Sequence, residues 1–337
     1  MMMTKSDCAT HNAQMIEASL ERATSRSEFT YWRTLLPLGL ALFLPLHALA
    51  WNSTGHRLVA SIAWEHMDHT ARAEASRLLR EHPDYERWHK KAGEDDAERI
   101  AFIEASTWPD EIRKDKRFYS AGSDEPTPTL PGFPDMERRS NWHYVNRPLD
   151  ASLPSHPISG QIDKQLVELA RILGSHEASS AERHYALPWL IHLTGDAHQP
   201  LHASIRLDAE GHWDKLGNGM TVINPFNQHK TSSTLHAFWD DLPGLPGLRG
   251  ERLDTAMRAL LATYPHPPRP SSSNAWIDES WRITRESAYP ESTDTTPTIS
   301  EAFFEKSREI ANRRVTEAGY RLAELLNTLI GAKKPRN

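Results

Sequence analysis

The chain holds a single cysteine, Cys8, and it lies upstream of the longest apolar run. A chain that begins after that run closes no internal disulfide and offers no thiolate to a metal. Positive charge is also short: 39 Lys and Arg stand against 45 Asp and Glu, a formal −6 over 337 residues. Such a surface is no basic track for holding duplex DNA by counterion release, so any chemistry on nucleic acid has to be local. Alternating strand pattern is scarce, and GMTVINPF is the one candidate hairpin arm. No repeat and no low-complexity linker divides the chain. The one long apolar run, TLLPLGLALFLPLHALA, is too short and too proline-interrupted for a comfortable membrane span.

That run closes on the small-x-small triplet Ala48-Leu49-Ala50, the pattern of a signal peptide with its cleavage site. Residues 1–50 are therefore expected to be leader and signal peptide, cleaved on export to the periplasm or beyond, with an uncleaved anchor as the alternative. The leader is unusually long, and Met15 or another internal start is an alternative beginning. Four basic side chains (Lys5, Arg22, Arg26, Arg33) balance four acidic ones (Asp7, Glu17, Glu21, Glu28) there, so a chain starting at Trp51 keeps the −6. Cleavage would also free the Trp51 amine to act as a functional group.

Beyond Trp51, apolar residues recur at spacings of three and four. The segments are GHRLVASIAWEHM, ARAEASRLLREH, IDKQLVELARILGSH, AERHYALPWLIHLTGDAH, LDTAMRALLATY and SEAFFEKSREIANRRVTEAGYRLAELLNTLI. Polar, proline-rich loops fall near 120–138, 147–160, 242–250 and 265–274. The expected fold is mostly α, a single compact helical domain over 51–330 with a polar tail at 331–337.

With 18 histidines and many aspartates, any metal site here has to use nitrogen and oxygen. HLTGDAHQPLH sets His192 and Asp196 four apart, and LHAFWD does the same for His236 and Asp240. Four residues advance about 400° around an α-helix, so each pair shares a face one turn apart. A neutral imidazole and a carboxylate so placed can bind the same Zn²⁺. Pro200 should end the first helix and let His202 swing back from a turn. Solvated i,i+4 contacts are the bland alternative. The neighbours Leu190, Ile191, Leu193, Leu235, Phe238 and Trp239 suggest burial instead, and a buried His or Asp needs a partner or a metal. The pattern alone leaves both readings open. His56 in WNSTGH, Asp110 in STWPDEIRK and His143 in NWHYVN each read singly as structural, Asp110 as a helix N-terminal carboxylate.

Taken together with Trp51, these segments resemble the zinc-dependent single-strand-specific nucleases of the S-one/P-one family. The resemblance runs from WNSTGHRLVASIA to AGYRLAELLN and is most specific in the N-terminal Trp-to-His element, HLTGDAHQPLH and STLHAFWD. It implies a helical domain of the phospholipase C and S-one/P-one type with three zinc ions in a cleft. By matched position, Asp110, His143, His192 and Asp196 would bind the first zinc. The amino nitrogen and carbonyl oxygen of Trp51, with His56 and a shared Asp196, would bind the second, and His202, His236 and Asp240 the third. An α-amine coordinates only once the bond to Ala50 is cut, so export and activation would be coupled.

The implied substrates are single-stranded DNA and RNA, cleaved to 5′-phosphate products, and 3′-nucleotides, which lose their phosphate. Zinc-activated hydroxide would attack phosphorus in line, with Asp110 and Arg113 as the catalytic residues. Tyr144 resembles the family's base-stacking position, and Asn146 and Asn218 stand at substrate-binding positions. A base still inside a duplex can be neither stacked nor edge-bonded there. Three positions depart from the family's pattern. Leu216 opens the usual Gly-Gly-Asn, Asn146 stands where fungal members often have Asp, and Asn52 replaces the Gly after Trp. They bear on base preference, not on the metal set.

Two rivals remain. The zinc phospholipase C branch has a longer gap from Trp to the first His and a final Glu; here the gap is five and the residue is Asp240. A non-catalytic periplasmic zinc-binding protein would saturate its ions, which nine ligand residues for three ions do not. No stable protein partner is implied, nor a membrane after cleavage. His66, His69, His89, His184, His198 and His229 are expected at the surface or behind the ligands.

Overall fold

The computed structural model describes residues 51–332 other than 94–95, 151, 154–159, 209–210 and 269–271. The leader, and all but two residues of the polar tail, lie outside the described residues. Eleven α-helices are found among those described, so the chain is mostly helical as the periodicity predicts. In order they are α1 (Ser53–His66), α2 (His69–Arg80), α3 (Tyr85–His89), α4 (Ala97–Ala105), α5 (Trp108–Glu111) and α6 (Ile162–Gly174). Then follow α7 (Ser180–Asp196), α8 (Leu235–Asp241), α9 (Gly250–Thr263), α10 (Ser273–Ser287) and α11 (Glu301–Ile330). The arm expected in GMTVINPF is β1 (Thr221–Ile223), paired antiparallel with β2 (Ser232–Thr234), with Val222 opposite Ser233. Among the described residues no helix is long and apolar enough to cross a membrane.

Helix α7 is the centre of the fold. It is buried without a break from His184 to Asp196, as a helix apolar on every side must be, and α1, α2, α5, α6 and α11 pack around it. Ser179 and Glu182 close a capping box at its start, satisfying N–H groups that no helical carbonyl can reach. The helix ends at Asp196, and Pro200 then opens a 3-10 turn over Pro200–Ala203 that carries His202, the swing back expected from proline. Helix α11 runs for 30 residues and packs along α1.

The structure adds helices that the sequence did not announce, α3, α4 and α10, while α5 has Pro109 and Asp110 in its first turn, as the proline suggests. Residues 273–274, expected in a loop, open α10. Its buried stripe is Trp276, Ile277, Ser280 and Thr284, half of it hydroxyl. Ser280 donates to the Ala197 carbonyl at 2.7 Å, and Thr284 donates to the Pro200 carbonyl. Helix α10 thus grips the turn between Asp196 and His202 from behind.

One buried charge cluster ties α1, α4 and α9 together. Glu104 accepts from Arg57 Nε at 2.9 Å, Lys91 Nζ at 2.8 Å and Arg249 Nε at 2.6 Å. Burial works against this carboxylate, but the three cations outweigh it and bring it from 4.5 down to about 2. Removing one partner of a buried ion pair leaves the others uncompensated, at a cost of about 3–5 kcal/mol. Glu104→Gln is expected to lose about that much stability at neutral pH in a urea titration. Because the folded pKa is depressed, Glu104's contribution is present above its unfolded value and fades as pH falls toward about 2. The variant's stability should therefore fall less steeply on the acid side than that of the parent.

Candidate metal centre

The C-terminal end of α7 delivers the first pair. Both His192 and Asp196 are fully buried, with His192 Nε2 3.3 Å from Asp196 Oδ2. His192 Nδ1 donates to the Ser106 carbonyl at 2.8 Å. A carbonyl can only accept, so Nδ1 carries the proton and Nε2 presents its lone pair inward. His143, buried behind the turn Ser140–Trp142, brings Nδ1 to 3.0 Å from Asp196 Oδ2 and 3.0 Å from His192 Nε2. Asp110 sits in the first turn of α5, behind Pro109, with Oδ1 3.8 Å from His192 Nε2 and 4.0 Å from His143 Nδ1. It is partly exposed, and Arg113 Nε lies 3.4 Å from the same oxygen.

On the other side of Asp196, His56 Nε2 is 3.3 Å from Oδ1, and its ring stacks on that of His192 at 3.8 Å. His56 lies in the first turn of α1, five residues after the fully buried Trp51. Gly55 makes that return possible: a Cβ there would lie 2.7 Å from the Trp51 Cβ. His202, His236 and Asp240 form a third group. His202 Nδ1 donates to the His143 carbonyl at 2.6 Å, and His236 Nδ1 donates to the Leu216 carbonyl at 2.7 Å. Their Nε2 atoms face each other at 3.2 Å. With each Nδ1 proton committed to a carbonyl, the two Nε2 atoms are placed to share a proton or a divalent cation. Asp240 Oδ2 is 3.5 Å from His236 Nε2, while its Oδ1 accepts from Gln199 at 2.8 Å.

Burial governs most of the electrostatics here, but at His192 the Asp196 and Asp110 carboxylates outweigh burial and raise the imidazole above its usual value. Burial pushes the Asp196 carboxyl up to about 6 and that of Asp240 well above the usual carboxylate range. Burial, with charge on nearby histidines and arginines, pushes His56 and His143 well below the usual imidazole value. His56 Nε2 and Asp196 Oδ1, which face each other at 3.3 Å, are both buried without a hydrogen-bond partner. Buried polar groups left so cost free energy unless something binds them. A nitrogen and carboxylate donor set with no thiolate suits Zn²⁺ or a similar divalent ion, so the residues fit the group.

The structure thus brings the eight expected ligand side chains together, His56 with Asp110 and His192, His143 with His192 and Asp196, and His202 with His236 and Asp240, with Trp51 buried beside them. Those groups span α1, α5, α7, α8 and two turns, and the ordered segments that carry them are the basis for comparison with known proteins. The S1/P1 Nuclease family model matches residues 51–331. The chain belongs to this family. It is similar to Endonuclease 3 of Arabidopsis thaliana, 25% identical over 315 residues that cover 85% of this chain and 91% of that protein. It is similar also to Endonuclease 5 of the same plant, 26% identical over 309 residues, covering 85% and 92%. Endonuclease 1 is 23% identical over 325 residues, covering 88% and 92%. As a member of the S1/P1 nucleases the chain is a hydrolase of phosphodiester bonds.

The other expected residues lie around this cluster. Tyr144 and Asn146 flank Val145, whose N–H donates to the His202 carbonyl at 2.9 Å. Tyr144 is half-buried, and Gly160 packs so close that a Cβ would fall 1.9 Å from its carbonyl oxygen. Asn218 donates to the Lys215 carbonyl at 3.0 Å, in the loop whose Leu216 carbonyl aims His236. Leu216 holds φ at 63°, a left-handed backbone that explains why glycine is usual there. His198 is buried away from the cluster, bonded to the Thr194 carbonyl and to Arg321 at 2.8 Å. Gln199, which holds Asp240, is not among the expected residues; its place inside HLTGDAHQPLH, directly before Pro200, is the one signal it carries.

Proposed function

We propose that the chain is an exported, zinc-dependent nuclease that acts on single-stranded DNA and RNA, leaves 5′-phosphate products and also dephosphorylates 3′-nucleotides. The observation that carries the reading is the facing pair of His202 and His236 nitrogens at 3.2 Å, each aimed by a carbonyl behind it. Asp110, His143, His192 and Asp196 would hold one ion; Trp51, His56 and Asp196 a second; His202, His236 and Asp240 a third. Zinc bound there supplies Lewis acidity at the phosphoryl oxygens and lowers the pKa of water toward neutrality.

The remaining work falls to side chains. Asp110 is the least buried carboxylate of the group and is taken to orient the attacking water. Arg113 beside it offers a guanidinium to the charge that develops on the phosphate. Tyr144 is taken as the platform for an unpaired base, with Asn146 and Asn218 at its polar edge, which excludes a base still stacked in a duplex.

The test uses the exported, processed protein with single-stranded DNA, RNA, a 3′-mononucleotide and phosphatidylcholine, each with and without chelator. Turnover of the first three is expected, lost on chelation and restored by zinc. Lipid turnover without nucleotide turnover would reverse the assignment in favour of the phospholipase branch. Retained nuclease activity after exhaustive chelation would remove zinc from it.

A further inference from the structure

We propose that Asn52 is a positioning residue that clamps the Trp51 end of the chain onto the Asp240 ligand group. The inference rests on the proposed role of the Trp51 amine as a ligand. Asn52 Oδ1 accepts from the N–H groups of Thr54 at 2.9 Å and Gly55 at 3.2 Å, which caps α1. Its Nδ2 donates to Asp241 Oδ1 at 2.9 Å and to the Gly244 carbonyl at 2.7 Å. Its backbone N–H donates to the Asp240 carbonyl at 3.2 Å. The residue after Trp51 is therefore bonded by its backbone to one ligand residue of another group, and by its side chain to the two sides of the turn that follows.

The neighbouring residues repeat the tie. Thr54 Oγ1 donates to the Leu245 carbonyl at 2.6 Å and accepts from the Leu248 N–H at 3.0 Å. Ser53 Oγ accepts from the Gly247 N–H at 3.1 Å. Any capping residue can supply the bonds that Oδ1 makes, but the pair made by Nδ2 needs a side-chain amide. Glycine, the residue the family pattern puts at this position, makes neither. Asn52 thus holds the Trp51 backbone in place before a metal arrives, and ligands held in advance bind more tightly because less ordering is left to do.

The test expresses the full chain with its leader, purifies the exported product and verifies its N-terminus. Asn52→Ser keeps a capping oxygen and loses both amide bonds. Zinc affinity is measured by competition with a chelator, and the visible spectrum is recorded with cobalt(II) in place of zinc. Asn52→Ser is expected to bind its weakest zinc about tenfold less tightly and to alter the cobalt spectrum, with metal-free melting close to that of the parent. Parental affinity with the parental spectrum would overturn the proposal. So would a loss of metal-free stability large enough to account for the weaker binding. A chain that retains Ala50 before Trp51 separates the two ideas. If it keeps full zinc, the Trp51 ligand and the clamp both fail. If it loses zinc while Asn52→Ser does not, the clamp alone fails.

Discussion

Asp196→Asn is expected to cost more metal than any other single ligand change and to lower the rate on single-stranded DNA by roughly a thousandfold, about 4 kcal/mol on the barrier. Both of its oxygens face nitrogen donors: Oδ1 is 3.3 Å from His56 Nε2, and Oδ2 is 3.0 Å from His143 Nδ1 and 3.3 Å from His192 Nε2. An asparagine keeps the shape but replaces one oxygen with an amide nitrogen, which cannot coordinate a metal, so one side or the other loses its ligand. Asp240 differs, because its Oδ1 is already taken by Gln199 and only Oδ2 faces a histidine. Asp240→Asn should therefore remove less metal per chain, and equal losses measured by elemental analysis would count against a shared Asp196. Stability adds a check with opposite signs. In the metal-free protein Asp196 is a buried carboxylate at a helix C-terminus, raised to about 6, so its neutral replacement should melt no lower than the parent. In the metal-loaded protein the same replacement should melt lower, since binding to the folded state alone stabilises it.

Much of the site is legible in the sequence because helices turn distance in space into distance along the chain. His192 with Asp196, and His236 with Asp240, need only the rule that residues four apart share a face. The groups that aim these ligands follow no such rule. The Ser106 carbonyl is 86 residues from the histidine it holds, the His143 carbonyl 59, and Gln199 41 from Asp240. Each contact exists only after α5, α7 and α8 have packed. The hidden helices have their own reasons. α3 spans five residues, too few to show a period, and the four-residue α5 shows only through the proline at its start. α10 buries Ser280 and Thr284, whose hydroxyls interrupt the apolar stripe while satisfying two carbonyls of the turn ahead of His202. A stripe that is half hydroxyl packs as a core face only where acceptors wait for it, and those acceptors belong to another part of the chain. Asn52 is similar: as a letter it reads as a helix cap, and its grip on Asp241 and Gly244 spans about 190 residues.

A chain that keeps even one residue before Trp51 is expected to lose one zinc and roughly a hundredfold of its activity, about 3 kcal/mol on the barrier. The reason is a lone pair. In a peptide bond the nitrogen electrons are delocalised into the carbonyl, and the nitrogen binds no metal. Cut before Trp51, the same nitrogen becomes an amine with a pKa near 8, which a divalent ion displaces further downward. Trp51 is fully buried, its return onto α1 depends on the missing Cβ of Gly55, and Asn52 fixes the next peptide to the Asp240 carbonyl. An added residue would turn that amine into a peptide nitrogen and leave His56 and Asp196 one donor short. The comparison is between the exported protein and a variant whose cleavage is shifted to leave Ala50 in place, each with its N-terminus read by mass spectrometry and its zinc counted per chain. Full zinc and full rate in the longer chain would take Trp51 out of the ligand set and leave the His56 nitrogens to find their partner elsewhere. A zinc deficit that follows the extra residue, with the fold intact by circular dichroism, would make removal of the leader the step that completes the metal centre.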